Sequence, residues 1–326
     1  TPALRALKAQ NPAAEINLLV FEPVKEYADG LGFIDEVFTL SAGKINFLKN
    51  LRVVLFLKNK KFDTAINMRT LGSKSGASKI KLLFKIIAPL KTIGRDTAGR
   101  GDFFDIKIPE PDIGEKFELE YDIETVKQLG VDVKDKTIKF RVDDQKRKEV
   151  NELLKECGIG EDDRIVAVHP GGKPSHRWPK ENFAEVVKSI KKNTQVKFVM
   201  VAGKDEKALG QYIIRQSGVD MSDFSGRLNI YQLGALLERV DVLVCNDSGP
   251  MHIAAAIGTY LVAIFGAGYF HRYNPKNITD KVITLYKEAD CAPCCKLECD
   301  DIKCLKTISV NEVYNAAIQL LKGQII

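Results

Sequence analysis

The stretch Val242-Leu-Val-Cys-Asn-Asp247-Ser-Gly-Pro-Met-His252-Ile-Ala-Ala-Ala-Ile-Gly258 passes from an apolar run, through turn residues, into a run of small residues. Residues 242–245 are short, apolar and rich in β-branched valine, as a buried strand of a parallel sheet requires. Asn246, Asp247, Ser248 and Gly249 supply turn and N-cap chemistry. Pro250 is tolerated in a first helical turn, where its missing N–H costs nothing. Residues 253–257 then predict a small-residue helix able to pack close to a sheet. A strand–turn–helix of this kind aims unpaired backbone N–H groups and the positive end of a helix dipole at one point, where a phosphate can be held.

The same turn carries an acid and an imidazole. A phosphate would repel Asp247, so a functional Asp247 should face a neutral, hydroxyl-bearing group such as a sugar. His252, about one turn into the helix, is within reach of the same ligand. The plain structural alternative is that Asp247 and Ser248 cap a helix and His252 fills a core position.

Working outward, the second half alternates strand and helix. Strands are predicted at 164–168, 197–202, 260–265 and 282–286. Helices are predicted at 180–192, 204–217, 230–238 and 309–322. The first half alternates as well, with helices at 2–9, 23–30, 44–60, 76–90, 119–130 and 143–157. Its strands fall at 16–21, 36–39, 63–67 and 91–94, and 99–118 reads as an irregular loop. The polar break Gly158-Ile-Gly-Glu-Asp-Asp-Arg164 divides residues 1–160 from 161–326. The fold class is therefore α/β, with two doubly wound domains facing a cleft and ligands at the carboxyl ends of the strands. Such a domain should open on a strand, whereas Thr1-Pro-Ala-Leu-Arg-Ala-Leu-Lys8 reads as helix, so a further segment is expected ahead of Thr1.

The 326 residues, 45% hydrophobic and 28% charged, have a globular composition and ample length for two domains. No apolar run approaches the ~20 residues needed to cross a bilayer. Charge is unevenly spread. From Ser41 to Arg100, fourteen Lys or Arg face two acids, a net of +12 in a chain of +6, which leaves −6 for the remainder. Within that segment, Lys79-Ile-Lys-Leu-Leu-Phe-Lys-Ile-Ile-Ala-Pro-Leu-Lys91 mixes basic and apolar residues, a pattern suited to an anionic membrane surface or partner. The alternative is a solvated basic face over a buried stripe. Nucleic acid is not expected, because aromatic stacking platforms are not interleaved with the charges.

Three more stretches follow predicted strands. In His169-Pro-Gly171-Gly172-Lys173-Pro-Ser-His176-Arg177-Trp178-Pro179, paired glycines let backbone N–H groups approach an anion. Lys173, His176 and Arg177 bring the positive charge that a leaving diphosphate needs in the absence of a metal. In Val201-Ala-Gly203-Lys-Asp205-Glu206, Glu206 is placed to bind ribose hydroxyls or simply to complement a helix dipole. The fourth stretch is Ile264-Phe-Gly266-Ala-Gly268-Tyr-Phe-His271-Arg-Tyr-Asn-Pro275. All four histidines, 169, 176, 252 and 271, fall on this predicted rim.

The elements His169-Pro-Gly-Gly, Arg177-Trp-Pro, Asn246-Asp-Ser-Gly-Pro-Met-His-Ile-Ala-Ala-Ala and Phe265-Gly, with Pro2-Ala-Leu-Arg-Ala-Leu-Lys8, resemble glycosyltransferase family 9, the lipopolysaccharide core heptosyltransferases. The resemblance spans nearly the whole chain, and Asp-Ser-Gly-Pro-x-His is its most specific part. It implies a GT-B fold of two Rossmann-like domains, with the acceptor in the N-terminal one and the donor in the C-terminal one. It also implies inverting, metal-independent transfer from a nucleotide-diphosphate sugar, typically ADP-heptose, with no cofactor required. Carried over residue by residue, Asp247 holds donor hydroxyls, Ser248 and Gly249 bind the diphosphate, and His252 lies beside it. Gly171 and Gly172 fall near the phosphates, with Lys173, His176, Arg177 and Glu206 completing the donor site. The family often has Lys where this chain has His176, so a titratable group replaces a permanent cation.

Arg69 and Lys74 are the candidate acceptor contacts. The implied partners are the sugar donor, an anionic glycolipid acceptor and the cytoplasmic surface of the inner membrane, with the protein peripherally associated there. The catalytic base, an Asp that the family carries just before its Pro-Ala-Leu helix, is expected N-terminal to Thr1. Without it, the alternative is a non-catalytic sugar-nucleotide- or metal-binding scaffold. A sugar-nucleotide epimerase of similar architecture is a third reading.

Of seven cysteines, Cys157 and Cys245 read as inert core residues. Cys291, Cys294, Cys295, Cys299 and Cys304, in segment 291–304, have a density that suits structural zinc or an iron–sulfur cluster, but a spacing that matches no common finger. A redox-sensitive or disulfide-forming set and free thiols are the alternatives.

Overall fold

The computed structural model describes residues 1–43, 46–294 and 296–323. The chain divides into two units, Thr1–Thr137 and Ile138–Ile326.

The second unit is built on one six-stranded, all-parallel sheet. Its strands are β6 (Ile165–His169), β7 (Lys197–Met200), β8 (Met221–Asp223), β9 (Val242–Asn246), β10 (Tyr260–Ile264) and β11 (Val282–Leu285). Their order across the sheet is β11-β10-β9-β6-β7-β8. Counted within the unit, this is the 3-2-1-4-5-6 order of a dinucleotide-binding fold. Strand order reverses between β6 and β9, which pair in parallel through Val168–Val244 and His169–Cys245. The two stretches richest in site candidates leave the sheet at this switch point.

Strand alternation sorts the side chains onto two cores. Val166, Val168, Val242 and Val244 face one apolar cluster; Ile165, Ala167, Leu243 and Cys245 face the other. α7 (Lys180–Asn193) and α13 (Val310–Leu321) cover the first face, through Phe183, Val187, Ile190, Val313 and Ala317. The other is covered by α6 (Asp144–Glu156), α9 (Ile230–Arg239) and α10 (Gly249–Ile257), through Val150, Leu154, Leu236 and Ala254. Caps set the ends. Asn229 with Gln232, and Ser309 with Glu312, form capping boxes on α9 and α13.

α6 explains why the units divide at Thr137, ahead of the polar stretch at 158–164. Its buried stripe, Val150 and Leu154, belongs to the second unit's core. An amphipathic pattern reveals that a helix has an apolar face but not which core receives it.

The first unit carries two parallel sheets. β1 (Asn17–Phe21) pairs with β2 (Glu36–Leu40), and β3 (Thr64–Asn67), β4 (Lys91–Thr97) and β5 (Ile106–Glu110) lie side by side. α1 (Pro2–Gln10), α2 (Lys25–Asp29), α3 (Phe47–Asn59), α4 (Lys74–Ile87) and α5 (Glu118–Lys127) are its helices. Lys44 and Ile45, at the start of the expected helix 44–60, lie outside the described residues.

Residues 99–118 are not wholly irregular, since β5 runs through them. Pro109 sits within β5, which is possible because β5 is an edge strand. β8, a three-residue Met-Ser-Asp edge strand, is likewise absent from the hydropathy pattern. Cys157 is exposed, against expectation, because it lies at the C-cap of α6, beyond the last residue of the buried stripe. Cys245 is buried, as expected, and burial raises its thiol pKa. Among the described residues, no helix is long and apolar enough to cross a membrane.

Candidate functional site

The loop after β6 and the turn after β9 are bolted together by Asn246, the fully buried last residue of β9. Its Nδ2 donates to the carbonyls of Pro170 (2.8 Å) and Gly171 (3.1 Å), and its Oδ1 accepts from the Trp178 N–H at 3.0 Å. The Trp178 indole, also buried, donates to the Ile308 carbonyl at 3.0 Å. Asn246 was legible only as turn chemistry; its actual work is a set of contacts some seventy residues away along the chain.

Glu206 organises the other side. Its carboxylate accepts from the N–H of Gly172 (2.7 Å), the N–H of Gly203 (2.9 Å) and Arg177 (3.0 Å). Burial alone would raise the Glu206 pKa, but the Gly172 and Gly203 N–H groups, with His169 and Arg177, hold it below the usual carboxylate range. Arg177 also donates through Nε to the Gly172 carbonyl at 2.8 Å. Gly172 has φ of +117°, a backbone state that favours glycine. It brings the loop against Asp247 and Ser248, with a Cβ built there falling 3.4 Å from the Asp247 carbonyl.

Between these loops lies a cavity of about 310 Å³. Val201, Phe224, Leu228 and Leu233 line it with apolar surface; Gly172, Glu206, Ser248 and Gly249 line it with polar groups. α10 begins on this cavity. Ser248 is its N-cap, yet its hydroxyl turns back to the Asn246 carbonyl at 3.0 Å, and no side chain caps the helix. First-turn N–H groups of α10 therefore lack both an intrahelical acceptor and a cap, and the space beside Gly249 is open.

Asp247 stands beside this helix start, its side chain 11% exposed. Its carboxylate accepts no hydrogen bond among the described residues, and His176 Nε2 stands off at 3.9 Å. Burial pushes Asp247 up to about 6, against the pull of Lys173. Gly268 closes the far side, where an added Cβ would fall 2.4 Å from Asp247 Oδ2. Gly268 carried no individual signal in the sequence beyond a place on the rim.

Burial lowers the pKa of three of the four histidines. Burial, aided by the Lys173 charge, takes His176 down to about 4. Burial takes His252 to about 4, and its ring meets Tyr273 edge-on at 6.2 Å. His169 is lowered chiefly by burial, and its Nδ1 meets the Val201 carbonyl at 2.9 Å. His271 is exposed. Two permanent cations belong to the loop after β6: Arg177, committed to Glu206 and the Gly172 carbonyl, and Lys173, exposed and paired with no acid among the described residues.

The cysteine-rich segment braces the same loop. Ser175 donates its N–H to the Leu297 carbonyl at 3.2 Å and its hydroxyl to the Lys296 carbonyl, and the Cys294 N–H donates to the Ala267 carbonyl at 3.1 Å. Cys291, Cys294, Cys299 and Cys304 are free thiols, and Cys295 lies outside the described residues. Among the described residues, no three His, Cys, Asp or Glu side chains are grouped to hold a metal ion.

In the first unit, Arg69 is exposed, its guanidinium 5.3 Å from the centre of the Phe21 ring. Lys74 is the exposed first residue of α4, whose N-cap is Ser73.

The chain is similar to known proteins in sequence and in fold. Lipooligosaccharide heptosyltransferase 2 of Campylobacter jejuni is 24% identical over 92% of this chain and 92% of its own length. The lipopolysaccharide core heptosyltransferase OpsX of Haemophilus influenzae is 27% identical over 71% of this chain and 65% of its own. A glycosyltransferase family 9 structure from Veillonella parvula superposes with a TM-score of 0.80 at 24% identity, covering 99% of this chain and 93% of that one. The ADP-heptose lps heptosyltransferase II of Escherichia coli superposes at 0.71 with 17% identity, covering 99% and 94%. An E. coli heptosyltransferase solved with ADP superposes at 0.68 with 13% identity, covering 98% and 94%. These likenesses give the two-domain, Rossmann-like α/β fold. The sequence model of glycosyltransferase family 9 (heptosyltransferase) matches residues 51–304, and the chain is a glycosyltransferase belonging to that family.

Proposed function

We propose that the protein transfers a sugar, most simply a heptose from ADP-heptose, to the anionic glycolipid core of lipopolysaccharide at the cytoplasmic face of the inner membrane. In this reading the second unit takes the donor and the first the acceptor. The observation that carries it is Asp247, a nearly buried carboxylate that has no hydrogen-bond donor among the described residues, next to an uncapped helix start. A buried ionisable group left unpaired is costly unless a ligand completes it. Sugar hydroxyls would donate to Asp247, while the diphosphate would take the first-turn N–H groups of α10 and the charge of Lys173. Phe224, Leu228 and Leu233 offer the flat apolar wall that a nucleobase needs.

Relatives support the choice of sugar and acceptor. Those of matching length are named lipooligosaccharide or lipopolysaccharide heptosyltransferases, and solved neighbours carry ADP or ADP-2-deoxy-2-fluoro heptose. Displacement at the anomeric carbon by an acceptor oxygen, with inversion, needs a base for the hydroxyl proton. Diphosphate departure assisted by Lys173 and the helix N–H groups would need no metal.

The test is a calorimetric titration with ADP, UDP and GDP, repeated on Asp247→Ala with the intact nucleotide sugar. One diphosphate should bind selectively, and the sugar should add an increment that the variant lacks. Binding of none of the three would remove the donor reading.

A further inference from the structure

α3 and α4 pack against one another and together carry seven basic residues and no acid. These are Lys49, Arg52 and Lys58 on α3, and Lys74, Lys79, Lys81 and Lys85 on α4. Both helices also leave large apolar side chains in solvent. Phe47 is 65% exposed, Leu48 69%, Leu55 47% and Phe56 52% on α3; on α4 Leu82 is 58% exposed. Beyond the left-handed end of α4 at Ala88, Leu90 is 84% exposed. On α3 these residues do not line the core. Asn50, Val53, Val54 and Leu57 form the face turned inward, while Phe47, Leu48, Arg52, Leu55 and Phe56 cover the outward arc. On α4 the outward arc places Leu82 among Lys79, Lys81 and Lys85. Arg52, Lys58, Lys79 and Lys85 pair with no acid among the described residues. Among the described residues of the second unit, by contrast, only Leu297 is a large exposed apolar residue.

We propose that the outward faces of α3 and α4 dock the protein on an anionic lipid bilayer. Exposed leucine and phenylalanine set among lysine and arginine, on helices that lack acids, fit an interface of acyl chains beneath negative headgroups. The lysine stems lie along apolar surface while their ammonium groups reach the headgroups. A second copy of this surface would meet it with like charge, so charge complementarity selects an anionic occupant over self-association. Lipid binding here extends the reading of a membrane-embedded acceptor, on which it rests. It adds which surface meets the bilayer, through residues distinct from any that hold the donor.

Co-sedimentation of the full chain with vesicles tests this. Vesicles of phosphatidylcholine alone are compared with phosphatidylcholine mixed with phosphatidylglycerol, at low and at high salt. Binding should require the anionic lipid and weaken as salt rises. Phe47→Ser with Leu48→Ser, and separately Arg52→Gln with Lys79→Gln and Lys85→Gln, should each reduce it about tenfold or more. Both variants should keep the wild-type unfolding midpoint and bind the nucleoside diphosphate as the wild type does. Equal binding to both vesicle types, unchanged binding by both variants, or tighter binding to single-stranded nucleic acid than to anionic vesicles would overturn the proposal. Loss of diphosphate binding in the wild type, with lipid binding intact, would instead count against the transferase reading alone.

Discussion

Gly171 faces the Glu206 carboxylate so closely that a Cβ at 171 would fall 2.1 Å from Oε2. Glu206 cannot swing away cheaply, because the Gly172 N–H, the Gly203 N–H and Arg177 all donate to it. Gly171→Ala should therefore break this set and cost about 1–3 kcal/mol of stability. It should also weaken diphosphate binding by about tenfold, since the loop that shapes the cavity loses its anchor. Urea unfolding and calorimetry read the two effects. An alanine variant as stable as the wild type would show that Glu206 relaxes freely.

Asp247 predicts a pH signature. Its pKa of about 6 in the folded protein lies above the ordinary 3.8, so the fold favours the protonated form. That preference is a penalty on the ionised carboxylate, complete above pH ~6 and absent below pH ~4. Asp247→Asn should stabilise the unliganded protein at pH 8 by about 1–3 kcal/mol. The advantage should shrink as pH falls through 6 and vanish near 4. Thermal unfolding across that range checks it. The same variant should bind nucleotide sugar worse than the wild type at pH 8, because an amide supplies a weaker acceptor to sugar hydroxyls. A variant that neither gains stability nor loses sugar affinity would sink the assignment.

What was legible in the sequence and what was not differ in range. The strand–turn–helix at 242–258 is local chemistry: β-branched residues, cap formers and small residues in sequence order, each with an intrinsic preference. Glu206 is different. Whether it binds ribose hydroxyls or complements a helix dipole was open from sequence, but its bonds to Gly172 and Arg177 join segments some thirty residues apart. The replacement of a family lysine by His176 left open whether Lys173 or Arg177 compensates. In the structure Arg177 is bonded to Glu206, while Lys173 pairs with no acid among the described residues. β5 and β8 escaped for the opposite reason. Edge strands are held by one neighbour and need little hydrophobicity of their own, so Pro109 and a Met-Ser-Asp strand leave no period-two pattern.

Asn246 is the residue whose loss should damage the site without touching ligand. Asn246→Ala leaves the Trp178 N–H and the Pro170 and Gly171 carbonyls without partners inside the protein. Unfolding should show a loss of about 2–4 kcal/mol. Asn246→Asp keeps Oδ1 for Trp178 but sets a carboxylate against two carbonyls, so it should be no better. Hydrogen exchange at the Trp178 amide would report the same loosening. Protection equal to the wild type would refute the role.

Lys173 and Arg177 are both cations of one loop and should fail in different ways. Arg177 is bound on both sides, Nε to the Gly172 carbonyl and a terminal nitrogen to Glu206. Arg177→Lys cannot reproduce two directed bonds from one planar group, so it should lower stability by about 1–2 kcal/mol. Lys173 is exposed and unpaired among the described residues, yet its charge is felt at both Asp247 and His176. Lys173→Gln should leave the unfolding midpoint within about 0.5 kcal/mol of the wild type, as surface substitutions do. It should weaken diphosphate binding roughly tenfold at low salt and less at high salt, because the lost interaction is screened. With Lys173 gone, the Asp247 pKa should rise further above 6, since Lys173 is the charge that holds it down. Calorimetry at two salt concentrations, with the Asp247→Asn pH profile repeated in the Lys173→Gln background, measures both effects. If Lys173→Gln changes stability but not nucleotide affinity, the two cations have exchanged the roles assigned to them here.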